Sequence, residues 1–257
     1  MQTVPLHYRV LGEGAPLLIV HGLFGSSDNW QTLAKTWADS RKVYLMDMRN
    51  HGRSPWAEEF NYQVMAHDLK EFCYQHGVHQ AEWIGHSMGG KICMNLAVSN
   101  ASLISRLMVV DIAPKQYPVH HDIILDGLEE AFNTHLESRK AAEDLLRKYV
   151  EEEDTLQFLM KNIYRKEDGQ LAWRINVPVI DKHIERIGEG LPDKSIFEGP
   201  VCFVRGERSG YILNSDSNLI AHHFPQSELV TVPNAGHWVH AEQPAALDEH
   251  VRSFFNF

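Results

Sequence analysis

Apolar runs of strand length recur along this chain, at residues 6–10, 17–20, 43–46, 83–84, 107–110, 201–204 and 229–232. Those after the first are nearly continuous and rich in β-branched residues, as strands buried on both faces of a parallel sheet must be. Segments of helical period lie between most of them. In 62–75 the apolar residues Val64, Met65, Leu69 and Phe72 share one face, and 29–38 and 91–98 follow the same pattern. Strand alternating with helix predicts an α/β fold, a doubly wound and mostly parallel sheet.

The alternation fails once, between Pro114 and Pro200. No strand is expected there, while 125–132 and 139–150 read as helices. The acidic run Glu151-Glu152-Glu153-Asp154 reads as a solvated helix end. A connection of roughly 85 residues is far longer than an ordinary loop. The expectation is a core of residues 1–113 and 200–257 carrying a helical cap, or lid, at 114–199.

Hydrophobic residues make up 44% and charged residues 23% of the 257, and the net charge is −10. This balance disfavours nucleic acid and anionic membrane surfaces, which both attract basic faces. Cys73, Cys93 and Cys202 are odd in number and widely spaced. They read as buried thiols of a reducing compartment. Residues 1–5 lack the charged and apolar regions of a signal peptide, and no apolar run has membrane-spanning length. A cytoplasmic protein is expected, as a monomer or homodimer.

In open α/β sheets, functional groups collect beyond the carboxyl ends of the strands. Those positions hold His21-Gly22-Leu23-Phe24-Gly25, the 47–54 loop (DMRNHGRS), Gly85-His86-Ser87-Met88-Gly89, Asp111-Ile112-Ala113-Pro114, the 205–210 loop, and Gly236-His237-Trp238. The 85–89 stretch reads G-x-S-x-G, which sets a serine on a strained strand-to-helix turn. Ser87 is the candidate nucleophile. His237, late in the chain behind a glycine, is the candidate general base.

These motifs, in this order, resemble the α/β-hydrolase superfamily, and more narrowly its small bacterial YbfF-type esterase/thioesterase group. In most such relatives the acid stands three residues after the glycine ending the penultimate strand. Here that position is Ser209. The other common arrangement places it at the end of the strand after the elbow, which is Asp111. We assign Asp111, with Ser209 as a supporting member near His237 or Asp111, and leave Glu207 as the rival. Asp111 as a simple cap on its own loop is the structural alternative. The resemblance also implies an oxyanion hole of two backbone N–H groups, from Met88 and Leu23, with Phe24 as the alternative second donor.

Phe24 and Trp238 are expected to wall the substrate pocket or to pack in the core. Phe132, Phe158, Tyr164 and Trp173 are expected to line the pocket or form the cap's own core. His86 is expected to pack beneath the elbow and His240 to sit in the following helix turn. Asp47 and Arg49 are expected to tie loops together. Asn50 stands where relatives commonly have glycine, and asparagine tolerates that left-handed conformation. His51 and Ser54 are given no role.

The resemblance implies a serine carboxylic ester hydrolase working through an acyl-enzyme. Its substrate would be a small-molecule ester of short to medium chain, or an acyl-CoA thioester, with no cofactor and no metal. Ser87 argues against dehalogenase and epoxide hydrolase chemistry, which on this fold resembles an Asp at the elbow. Perhydrolases, C–C hydrolases and non-hydrolytic relatives share the triad and stay open, as does a hydrolase-like ligand receptor.

Overall fold

A computed structural model describes residues 2–118 and 122–257 of the chain. Its first half runs β1 (Tyr8–Leu11), β2 (Ala15–Val20), α1 (Gln31–Trp37), β3 (Arg41–Met46), α2 (Tyr62–Gln75), β4 (Ala81–His86), α3 (Met88–Ser99) and β5 (Ile104–Val110). The helix read at 62–75 has those bounds. Asn61 opens it by accepting the Val64 N–H on its side chain, the expected use of Asn at an N-cap. An insertion follows, with α4 (Asp122–Asn133), α5 (Arg139–Leu146), α6 (Glu153–Met160), β6 (Ile163–Arg165), β7 (Leu171–Trp173), α7 (Val177–Lys182) and α8 (Ile184–Gly188). The chain then returns through β8 (Val201–Gly206), α9 (Ser217–His223), β9 (Ser227–Val232), α10 (Val239–Glu242) and α11 (Pro244–Phe255).

The sheet order is β1-β3-β2-β4-β5-β8-β9. Only β1 runs antiparallel, against β3; the remaining pairs are parallel. Both faces are covered. Trp30, Leu33, Trp37, Leu247, Val251 and Phe255 pack on one side. Met65, Leu69, Phe72, Ile92, Met94 and Leu96 pack on the other. This is the doubly wound, mostly parallel α/β architecture that the apolar runs predict.

One expectation fails. The insertion contains a strand pair, β6 with β7, in antiparallel register from Ile163↔Trp173 to Arg165↔Leu171. Each strand has three residues, too few for a period to show, and Gly169 at φ 87° turns the hairpin. The acidic run does open a helix, as read: α6 begins at Glu153, and residues 151–154 are exposed. Among the described residues, no helix is long and apolar enough to cross a membrane.

Candidate active site

The parallel strands β4, β5, β8 and β9 end side by side, so the loops after them meet at one sheet edge. The turn after β4 is tight. Ser87 has φ 51°, a left-handed conformation costly for a residue with a Cβ, held by its surroundings. A Cβ on Gly85 would lie 2.5 Å from the Gly89 carbonyl oxygen, and one on Gly89 would lie 2.3 Å from that of Val20. Both glycines of the G-x-S-x-G motif are therefore required by backbone contact. The turn leaves Ser87 partly exposed at the mouth of two clefts.

His237, after β9, brings Nε2 to 3.0 Å from Ser87 Oγ. Its Nδ1 lies 2.8 Å from Asp111 Oδ2, at the end of β5. A carboxylate only accepts hydrogen bonds, so Nδ1 carries the proton and Nε2 presents its lone pair to the serine hydroxyl. Asp111 is fully buried and has φ 54°, a conformation Asp tolerates better than most residues. Its Oδ1 accepts the Gly206 N–H at 3.0 Å, and Oδ2 accepts the Ser209 hydroxyl as well as the imidazole. Ser209 thus bonds Asp111 rather than His237. Glu207 points elsewhere: it is exposed and accepts the Asn234 N–H at 2.9 Å.

The imidazole is framed on several sides. Tyr211 stacks on it, centroids 3.9 Å apart and planes 20° apart. Below the elbow, His86 Nε2 donates to the His237 carbonyl at 2.8 Å. Burial, with His240 and His237 nearby, holds the His86 pKa well below its ordinary value, so it stays a neutral strut. His240 lies in α10 and stacks on Trp30 at 4.4 Å.

Leu23 and Met88 line a cleft together with Ser87. Met88 opens α3, so its N–H has no acceptor within that helix. Among the described residues, the Leu23 N–H also finds no protein acceptor, whereas the Phe24 N–H donates to His51 Nε2 at 3.2 Å. The Phe24 alternative is thereby engaged elsewhere. Gly22 permits this closeness, since a Cβ there would lie 2.8 Å from His86 Nδ1.

Two clefts open from Ser87. One is lined by Leu23, Tyr62, Met88, Ile112, Tyr117, Ile184, Ile187 and Tyr211 among others. The second lies on the His237 side and is lined by Phe24, Ile124, Phe158, Leu159 and Trp238 among others. Phe24 and Trp238 therefore both face a cleft, and Trp238 packs against Phe158 at 5.4 Å. Of the other insertion aromatics, Trp173 is buried in the core, Phe132 packs against Trp56 and Tyr164 against Arg174. Tyr62, Tyr117, Tyr211, Ile184 and Ile187 carried no motif in the sequence. Their common mark, an aromatic or aliphatic side chain near a loop or helix end, is too ordinary to single out.

The 47–54 loop braces the site from beneath. Asp47 accepts the Ser27 and Arg53 amides at 2.6 and 2.9 Å. Burial pushes its pKa up, but His21 and these amides outweigh it and hold the carboxyl below its ordinary value. Arg49 forms a buried pair with Asp68 at 2.6 Å. Asn50 adopts φ 64° and its side chain meets Asn176 of the insertion at 3.0 Å. His51, given no role from sequence, holds the Phe24 amide, and Ser54 donates to the Asp47 carbonyl.

A hydroxyl, an imidazole and a carboxylate in hydrogen-bonded order can activate the hydroxyl as a nucleophile. Comparison with known proteins gives the family. A family model described as the alpha/beta hydrolase fold matches residues 15–244. The sn-1-specific diacylglycerol lipase ABHD11 of Danio rerio is 39% identical over 95% of this chain and 79% of its own length. Esterase YbfF of Escherichia coli is 36% identical over 95% of this chain and 94% of its own. A solved structure described as a marine microorganism esterase superposes with a TM-score of 0.93 at 40% identity, covering 98% of this chain and 100% of that one. The chain belongs to the α/β-hydrolase family, in its YbfF-type group, and is a carboxylic ester hydrolase.

Proposed function

We propose that Ser87, His237 and Asp111 are the nucleophile, base and acid of this hydrolase, with Ser209 supporting the acid. The observation that carries the reading is the continuous line from Ser87 Oγ through His237 to Asp111, at 3.0 and 2.8 Å. Ser87 attacks the ester carbonyl while His237 takes its proton. The tetrahedral oxyanion accepts the N–H groups of Leu23 and Met88, aided by the positive end of α3. The intermediate collapses to an acyl-enzyme as His237 returns the proton to the leaving alcohol. Water, activated by the same imidazole, then frees the acid. A thioester follows the same steps, with a thiol leaving.

Residues 114–199 act as a cap over a core of 1–113 and 200–257. The leaving group must take its proton from His237, so the alcohol occupies the Trp238 cleft. The acyl chain occupies the apolar cleft under Tyr117 and Ile187. The resemblance to the YbfF-type group points to esters of short to medium chain. All three cysteines are buried and unpaired, which suits a reducing compartment, so the cytoplasm is our proposed location.

The direct test is active-site labelling. A fluorophosphonate is expected to modify Ser87 alone, and Ser87→Ala to abolish both labelling and p-nitrophenyl acetate hydrolysis. Labelling at another residue, or turnover by the alanine variant, overturns the assignment. Labelling of Ser87 by an ester without multiple turnovers would instead favour a ligand receptor.

A further inference from the structure

Lys91 lies in α3, one turn beyond Ser87, and its amide donates to the Ser87 carbonyl at 3.1 Å. Its side chain is 2% exposed and runs away from the nucleophile. Nζ donates to the carbonyls of Lys115 at 2.7 Å, Gly188 at 3.1 Å and Glu189 at 2.5 Å. Three acceptors occupy every N–H of an ammonium, whereas a neutral amine has only two. The ammonium also stands 4.7 Å from the centroid of Tyr117 and 5.6 Å from that of Tyr62, favourable places for a cation. Burial draws its pKa down to about 7, and Glu189 opposes this. A buried charge is costly, and acyl transfer at Ser87 has no step for it.

Its three partners lie on the two stretches of chain that join cap to core. The outbound stretch carries Lys115 and the return stretch carries Gly188 and Glu189. The stretches also bond each other: Tyr117 N–H to Gly188 carbonyl at 2.8 Å, and Leu191 N–H to Pro114 carbonyl at 2.9 Å. They pass so closely that a Cβ on Gly188 would lie 2.4 Å from the Tyr117 carbonyl oxygen. These same stretches carry Tyr117, Ile184 and Ile187, the cap-side wall of the apolar cleft. The Tyr62 hydroxyl adds a bond to the Ile187 carbonyl from the floor. The Tyr117 hydroxyl bonds the carbonyl of Tyr211, whose ring lies on His237.

We propose that Lys91 is a positioning residue of the cap hinge: by holding both crossings at a fixed distance from α3, it sets the depth of the acyl cleft and hence the chain length accepted. The inference rests on the acyl-transfer reading above. Lys91 touches no reacting atom in it. Without the ammonium, the crossings keep their mutual bonds but lose their anchor to the helix that carries Ser87. The wall then loses its fixed distance from the nucleophile, and a long acyl chain, which touches more of that wall, loses more than an acetyl group.

The test is kinetic, on the full chain, with p-nitrophenyl acetate, butyrate, hexanoate and octanoate. Lys91→Met is expected to raise KM for the chain length the parent prefers by about tenfold, with kcat falling less than about threefold. The loss for acetate is smaller, so the order of preference flattens or moves. Lys91→Arg, which retains charge and donors, recovers part of the preference. An unchanged profile, or a uniform fall in kcat at all chain lengths, overturns the proposal. If the Met variant does not fold, Lys91→Gln, with donors for two of the three carbonyls, carries the same comparison, and an unmoved profile there overturns it equally. Fluorophosphonate titration separates the two readings. Full labelling of Ser87 with an unmoved profile removes only the role of Lys91, and failure to label Ser87 in the parent removes the acyl-transfer reading.

Discussion

Ser209 and His237 share one oxygen, Oδ2 of Asp111, the first through its hydroxyl and the second through Nδ1. The loop after β8 therefore supplies a hydrogen-bond donor where many relatives supply the acid. Asp111→Asn is expected to lower kcat by roughly 10³–10⁴, because the amide stabilises the wrong imidazole tautomer. Ser209→Ala removes one of three donors and is expected to cost about tenfold in kcat with KM little changed. Glu207→Gln stays within about twofold, as its carboxylate serves a surface turn. Steady-state kinetics of the three variants decide the acid. A large loss in the Gln variant with a small one in the Asn variant would reverse the assignment.

Tyr211 lies flat on the His237 imidazole, and an aromatic face favours a cation beside it. It also excludes water from one side of the imidazole. Tyr211→Leu is expected to lower kcat about tenfold, and Tyr211→Phe to retain activity within about threefold. Equal losses in the two variants would shift the role to the hydroxyl and refute the stacking argument.

The elbow glycines allow a stability test. Gly89→Ala drives a Cβ into the Val20 carbonyl, so more than about 3 kcal/mol of stability or the folded state itself should be lost. Gly210→Ala meets nothing within 4 Å and has no left-handed φ, so it should stay within about 0.5 kcal/mol. Urea unfolding of both measures the contrast, which similar midpoints would contradict.

Mild acid should destabilise the fold through its buried histidines. Burial, with other histidines nearby, holds His51 and His240 to about 3, against 6.5 in the unfolded chain. Between those values the unfolded chain binds more protons, so stability falls as pH drops below about 6.5, by about 1.4 kcal/mol per unit per group. From pH 7 to pH 5 the two together remove up to about 4 kcal/mol. His21 and His86, also lowered by burial, act in the same direction. Thermal melts at the two pH values test this, and an unchanged Tm would refute it.

The parts legible in the sequence are those carried by local pattern. The α2 stripe, the buried runs of the sheet and the glycine spacing of the elbow each declare themselves within a few residues. Asp111 and Ser209 were singled out by the resemblance to the family, and the two side chains meet because strand ends in a parallel sheet are neighbours by topology. The β6–β7 hairpin was not, since three-residue strands show no period. Lys91 was lost inside the elbow motif, as its partners lie up to 98 residues away and use backbone carbonyls, which no side-chain pattern reveals. Tyr211 escaped notice because stacking on His237 requires two loops to meet.

Between β5 and β8 the outgoing and returning chain meet at Pro114 and Leu191, which a direct hydrogen bond links. The whole insertion is thus topologically a loop with closed ends. Closing it costs little that depends on its length, since loop entropy grows only logarithmically. A change in the length of the segment between those ends need not disturb the order of the strands, whereas the residues at its two crossings stay tied to the helix behind Ser87 through Lys91.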